Sequence, residues 1–164
     1  MRIEEAQAGP LRTTEDLERL YRAEHLPMLR MARLVTGSKA LAEEAVQDAF
    51  IALYQRRESV ENPKAYLRRI VLNNCYSVQR RQTVERDKIE VIGGRQESVS
   101  LPPELDETWQ ALDVLSPKQR MALVLRFYED MPLQAIADVM DERLGTVKSL
   151  IHRGLKQLQK EVGR

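Results

Sequence analysis

Residues 133–162 read LQAIADVMDERLGTVKSLIHRGLKQLQKEV, and the fold turns on this stretch. Ile136, Ala137 and Met140 recur at helical spacing, which places Leu133 to Met140 in a short helix. Asp141 to Arg143 is a tight polar turn, and a second helix follows from about Leu144 to Val162, with Val147, Leu150, Ile151, Leu155 and Leu158 packed inward. Two helices joined by a turn of three or four residues form a helix-turn-helix, whose second helix enters the major groove of DNA. The charges agree with that docking. Glu129, Asp130, Asp138, Asp141 and Glu142 precede the turn, whereas Arg143, Lys148, Arg153, Lys156 and Lys160 follow it with no acid before Glu161. Thr146, Lys148, Ser149, His152, Arg153 and Lys156 are left to face the groove. The bland alternative is an amphipathic pair that binds no DNA, for which the charge separation would be accidental. His152 has no second histidine or cysteine nearby, so no metal site is expected there.

Working upstream, Ser116, Pro117 and Gln119 supply a capping box, and a helix runs from there to about Tyr128. Before it, Thr108 to Leu115 reads as a short helix with Trp109 and Leu112 facing inward. Residues 83–107 change character: seven acids outnumber Arg86, Lys88 and Arg95, while Gly93, Gly94, Pro102 and Pro103 interrupt. Such a stretch predicts an extended or disordered linker and a domain boundary.

The first domain, 14–82, holds three helices. Thr14 is the expected cap of the first; Leu17, Leu20, Tyr21, Met28, Ala32 and Val35 are its apolar stripe and Gly37 its end, while Pro27 predicts a kink or two shorter helices. Residues 1 to about 13 read as a loose arm. The second helix, from Ser38 to about Arg57, puts Leu41, Ala42, Ala45, Val46, Ala49, Phe50, Leu53 and Tyr54 on one face and the acids Glu43, Glu44 and Asp48 elsewhere. After the loop Glu58 to Glu61 comes NPKAYLRRIVLNNCYSVQRR, residues 62–81, with Asn62 as cap and Pro63 in the first turn. Leu67, Ile70, Val71, Asn74 and Val78 form its inner stripe. Its other side carries Tyr66, Arg69, Asn73, Tyr76, Ser77 and Arg80, and the segment holds Lys64, Arg68, Arg69, Arg80 and Arg81 with no acid. Cations for phosphate, aromatics for stacking and an amide for a base edge suit nucleic acid; a solvated basic helix is the bland alternative.

Composition narrows the classes. A net charge of +1 says little beside the local surpluses. With one cysteine, Cys75, there can be no intrachain disulfide and no cysteine cluster for zinc, and the residue reads as a small buried filler. No signal peptide or membrane span is present in the pattern, which leads to an expected cytoplasmic location without direct membrane insertion. Two histidines in different domains, no glycine-rich phosphate loop and no nucleophile beside a base argue against an enzyme and against any cofactor.

The run LSPKQRMALVLRFYEDMPLQAIADVMDERLGTVKSLIHRGLKQL resembles region 4 of bacterial sigma factors of the extracytoplasmic-function (ECF) group. AEEAVQDAFIALY followed by ENPKAYLRRIVLNN resembles their region 2. The resemblance implies an all-α chain of two small helical domains, a region 2 three-helix bundle at 14–82 and a region 4 helix-turn-helix domain at 108–164, joined by a flexible linker at 83–107. It implies a dissociable specificity subunit of RNA polymerase. The helix Ala42 to Tyr54 would dock on the clamp coiled coil of the large catalytic subunit, making Glu44, Gln47, Asp48 and Ile51 candidate contacts with core RNA polymerase. The loop Glu58 to Glu61 and the helix after it would read the minus ten element by trapping a flipped base, with Asn62, Tyr66, Arg69 and Asn73 on unpaired bases and Arg68, Arg80 and Arg81 on phosphates. Lys64, Tyr76 and Ser77 complete that candidate surface. The last helix would read the minus thirty-five element of promoter DNA through Arg143, Lys148, Ser149 and Arg153, with Thr146, His152 and Lys156 next. An anti-sigma factor is the expected regulatory partner. Three positions depart from many relatives: Leu150 replaces an arginine and so removes a phosphate contact, Glu142 puts a negative charge near DNA, and Ser77 stands where an aspartate is common.

The rival reading is a stand-alone helix-turn-helix regulator whose first domain dimerises or senses a ligand. It leaves the basic, aromatic face of residues 62–81 and the long linker without a purpose.

Overall fold

The computed structural model describes residues 9–88 and 110–163, with side chains throughout except at 82–88. The regular elements among them are helical: α1 (Thr14–Thr36), α2 (Lys39–Arg56), α3 (Pro63–Lys88), α4 (Pro117–Leu123) continuing into a π-helical turn (Val124–Tyr128), α5 (Leu133–Met140) and α6 (Leu144–Val162). Residues 110–112, where the described residues resume, are helical and precede α4.

Local chemistry explains most of the ends. Thr13, one residue before the expected cap, closes a capping box with Asp16, whose carboxylate receives the Thr13 and Arg12 backbone N–H groups. Those hydrogen bonds hold the Asp16 carboxyl below its usual range. Gly37 ends α1 in the left-handed conformation, φ 71°. Ser116 and Gln119 form the reciprocal box at the start of α4. Pro27 does not divide α1, which runs as one helix through it. Nor is the segment before α1 loose at 9–13: Leu11 is buried and its N–H donates to the Arg57 carbonyl at 3.1 Å.

Helices α1, α2 and α3 pack on one another as a three-helix bundle. Ala42, Ala45, Val46, Ala49 and Leu53 form the buried face of α2. Tyr21 and Tyr54, expected among the inward stripes, are instead about half exposed. Asn74, placed on the inner stripe of α3, earns its position by donating from Nδ2 to the Ala45 carbonyl at 3.1 Å, and Gln79 Nε2 donates to the Val35 carbonyl. Glu24, buried on α1, faces Lys64 of α3 at 3.3 Å. Helix α3 continues to Lys88, six residues past its expected end near Gln82. The expected connection at 89–107, with Trp109 beyond it, lies outside the described residues.

In the second unit α4, α5 and α6 surround Leu112, Leu115, Met121, Leu125, Ile136, Met140, Val147 and Leu150. Leu155, expected inside, is 38% exposed, while its neighbour Gly154 is buried against Leu123 and Gln119 of α4. The turn between α5 and α6 is built by Asp141 in the left-handed region (φ 51°), after which the Glu142 N–H returns to the Ala137 carbonyl at 3.0 Å. This is the helix-ending geometry that glycine usually supplies.

The two units pack together. Helix α5 lies against α3, and α4 and the π turn lie against α1. Six consecutive residues of α1, Met31 to Thr36, are therefore buried, more than one apolar stripe can account for. Among the described residues, no helix is long and apolar enough to cross a membrane.

Candidate nucleic-acid interface

Three surfaces carry the residues singled out from sequence. On α6, Arg143 stands at the N-cap, and Lys148, Ser149, His152, Arg153 and Lys156 are exposed along one side, with Thr146 half-buried. Arg153 Nε reaches back to the Ser149 carbonyl at 3.4 Å, which tethers its guanidinium to the helix without consuming the remaining donors. Glu142 and Leu150 do not disturb this face. The Glu142 carboxylate lies 2.5 Å from Lys118 Nζ, so its charge is neutralised within the fold, and the hydrogen bond raises the Lys118 pKa. Leu150 is buried in the domain core at 7% exposure.

On α3 the candidate residues divide. Arg69, Asn73, Ser77, Arg80 and Arg81 are exposed. Asn62 is exposed too, with its side-chain oxygen accepting the Ala65 N–H at 3.1 Å as the cap of α3. Lys64 shares its charge with Glu24. Tyr66 and Tyr76 are half-buried against the core. Arg68 is turned toward the other unit: its Nη2 lies 2.5 Å from Glu129 Oε2 and 2.9 Å from the Glu129 carbonyl.

On α2, Glu44, Gln47, Asp48 and Ile51 are all exposed. The structure adds neighbours that the periodicity concealed. Tyr21 and His25 of α1 stack with ring centroids 4.6 Å apart, Phe50 lies 4.9 Å from Tyr21, and together with Leu17, Gln47, Ile51 and Tyr54 they line a shallow, largely apolar groove edged by Glu43. Sequence reading assigned Tyr21, Phe50 and Tyr54 to the core because an aromatic at helical spacing fits an inner stripe as well as an outer groove. No signal separates the two until the partner helix is placed. Among the described residues no group of three histidine, cysteine or acidic side chains gathers to hold a metal.

Residues 20–84 match the model of Sigma-70 region 2, and residues 111–160 match that of Sigma-70 region 4. The RNA polymerase sigma-E factor of Streptomyces coelicolor is 30% identical over 152 residues, covering 90% of this chain and 86% of the relative. The chain belongs to the ECF group of the sigma-70 family. The RNA polymerase sigma factor SigV of Bacillus subtilis is 30% identical over 131 residues, 73% of this chain and 77% of the relative. Among solved structures, the sigma factor RpoE of Bartonella quintana, crystallised with the anti-sigma factor NepR, superposes with a TM-score of 0.64 at 26% identity, over 92% of this chain and 98% of that one. This ECF factor is thus an alternative sigma factor of transcription initiation, neither a stand-alone regulator nor an enzyme.

Proposed function

We propose that this sigma factor docks core RNA polymerase through the α1/α2 groove and the acidic side of α2, reads the minus ten element with α3, and reads the minus thirty-five duplex with α6. The observation that carries this assignment is the distribution of charge over three separate faces: acids with exposed apolar residues on α2, and cationic surfaces on residues 62–81 of α3 and 143–160 of α6, two stretches that hold no acid. Glu44, Gln47, Asp48 and Ile51 meet polymerase. Arg69, Asn73 and Asn62 hold unpaired bases, with Arg80 and Arg81 on phosphates. Arg143, Lys148, Ser149 and Arg153 face the major groove, where arginine and lysine match guanine edges and phosphates. Extruding a base from the duplex costs a few kcal/mol, which stacking and cationic contacts offset without a nucleotide cofactor.

The division at 14–82, 83–107 and 108–164 is part of this reading; the two separate family matches support it, while α3 carries helix six residues into the central segment. An anti-sigma factor is the proposed regulator, supported by the Bartonella quintana relative, which was solved with one. The workplace is the cytoplasm, beside the polymerase.

The test is run-off transcription with bacterial core polymerase and a library of promoter fragments. Wild type should yield specific transcripts; Asn73→Ala and Arg153→Ala should lose or re-specify them, and Gln47→Ala should weaken polymerase association. Tight duplex binding by the chain alone, with no polymerase association, would sink the assignment.

A further inference from the structure

We propose that the Arg68–Glu129 pair is a latch that holds the free chain closed, and that Arg68 exchanges the Glu129 carboxylate for a promoter phosphate when the two units separate. The proposal rests on the sigma reading above for the identity of the phosphate, while the latch rests on geometry alone.

The two residues are 61 positions apart, yet Arg68 Nη2 meets both the carboxylate (2.5 Å) and the carbonyl (2.9 Å) of Glu129. Their side chains are 34% and 18% exposed, so the pair is partly screened from water. A guanidinium that bonds a carboxylate is equally suited to a phosphate, since both present acceptor oxygens to the same donors. The fit to Glu129 is incomplete: Arg68 Nε is buried without a hydrogen-bond partner. Such a group is costly to leave unpaired, and release toward water or a phosphate would satisfy it.

Closure and promoter reading exclude each other on length. The minus ten and minus thirty-five elements lie about 25 base pairs apart by name, roughly 85 Å along B-DNA. A packed chain of this size has a radius of gyration near 15 Å, too small to place α3 and α6 on both. The 21 residues between Lys88 and Gln110 reach at most about 70 Å, enough for the units to part. The packing of one unit on the other runs through α1 and α3, whereas Gln47 and Ile51 stay exposed. Polymerase can thus engage the closed chain first, with DNA second.

The test uses the full chain labelled for energy transfer at Ala40→Cys on α2 and Gln159→Cys on α6, both exposed positions. Buried Cys75, its thiol pushed up to about 12 by desolvation, stays unlabelled. Glu129→Gln should raise the ratio of open to closed chains roughly threefold to tenfold, Glu129→Arg should raise it further, and the swap Arg68→Glu with Glu129→Arg should restore closure. Because the closed chain withholds Arg68 from phosphate, affinity for a single-stranded oligothymidylate should also rise in Glu129→Gln. Unchanged transfer in the two single variants, or a swap that fails to restore it, overturns the latch. Opening in Glu129→Gln by a chain that never associates with polymerase supports the latch and removes the sigma assignment instead.

Discussion

Gly154→Ala is the sharpest probe of how the recognition helix is held. Helix α6 buries Val147, Leu150 and Gly154. A Cβ at 154 would stand 2.9 Å from Leu123 Cδ1, 3.4 Å from Leu123 Cγ and 3.6 Å from Gln119 Cβ. Alanine in place of a mid-helix glycine favours the helix by about 1 kcal/mol. Against that, crowding a packed core costs about 1–3 kcal/mol, and Leu123, only 3% exposed, has little room to yield. The expected net is a loss of about 1 kcal/mol. Leu123→Ala alone should cost about 2–4 kcal/mol through the cavity it leaves. In the double variant the clash is gone and the added methyl enters the vacated space, so the losses should fall short of their sum by at least about 1 kcal/mol. Urea unfolding of the full chain, followed by helical circular dichroism, measures each corner of the cycle. Gly154→Ala should also weaken minus thirty-five duplex binding severalfold without altering any DNA-facing side chain, because α6 is pushed off α4 beside Arg153. Additive losses within about 0.5 kcal/mol would refute the close-approach argument.

Further expectations concern the turn, the Lys118–Glu142 pair and the thiol. Asp141→Gly should stabilise the second unit by about 0.5–1 kcal/mol, seen as a higher Tm, since Asp141 holds φ 51° where glycine carries no Cβ penalty. Lys118→Met leaves Glu142 unpaired beside Arg143 and should lower duplex affinity in band-shift titrations, most clearly at low salt. The sign with pH follows from the raised Lys118 pKa: its stabilisation is fully present below the unfolded value of about 10.5 and is lost as pH rises through the higher folded value. The stability gap between wild type and Lys118→Met should therefore be flat from about pH 6 to 9. Cys75 has the same sign but acts from a lower pH. Its thiol is neutral in the fold to about pH 12, so ionisation of the unfolded chain erodes stability above about pH 9. A thiol reagent at neutral pH should accordingly react only at the rate of unfolding.

The capping box at Ser116/Gln119, the start of α1 to within one residue, the Gly37 stop and the helix-turn-helix were legible because each is decided within four or five residues, the reach of one helical turn. The cationic faces of α3 and α6 were legible for the same reason: like charges at helical spacing share a side whatever surrounds the helix. The end of α3 was not, since the acid- and glycine-containing stretch after Gln82 has no stop signal of its own before Lys88. Nor were the continuity of α1 through Pro27 and the order at Leu11, which depend on the helices and carbonyls available nearby.

What the sequence by itself determined is thus the set of helices, their polarity and the family to which their motifs belong. The tertiary structure alone decided which apolar faces were covered. Tyr21 and Tyr54 stayed out to line a groove, Met31 to Thr36 went in on every side, Glu142 was neutralised by Lys118, and Arg68 was turned onto Glu129. Periodicity records that a face is apolar or charged. What meets that face is set by chain segments 24 or more residues away, and no local pattern encodes their arrival.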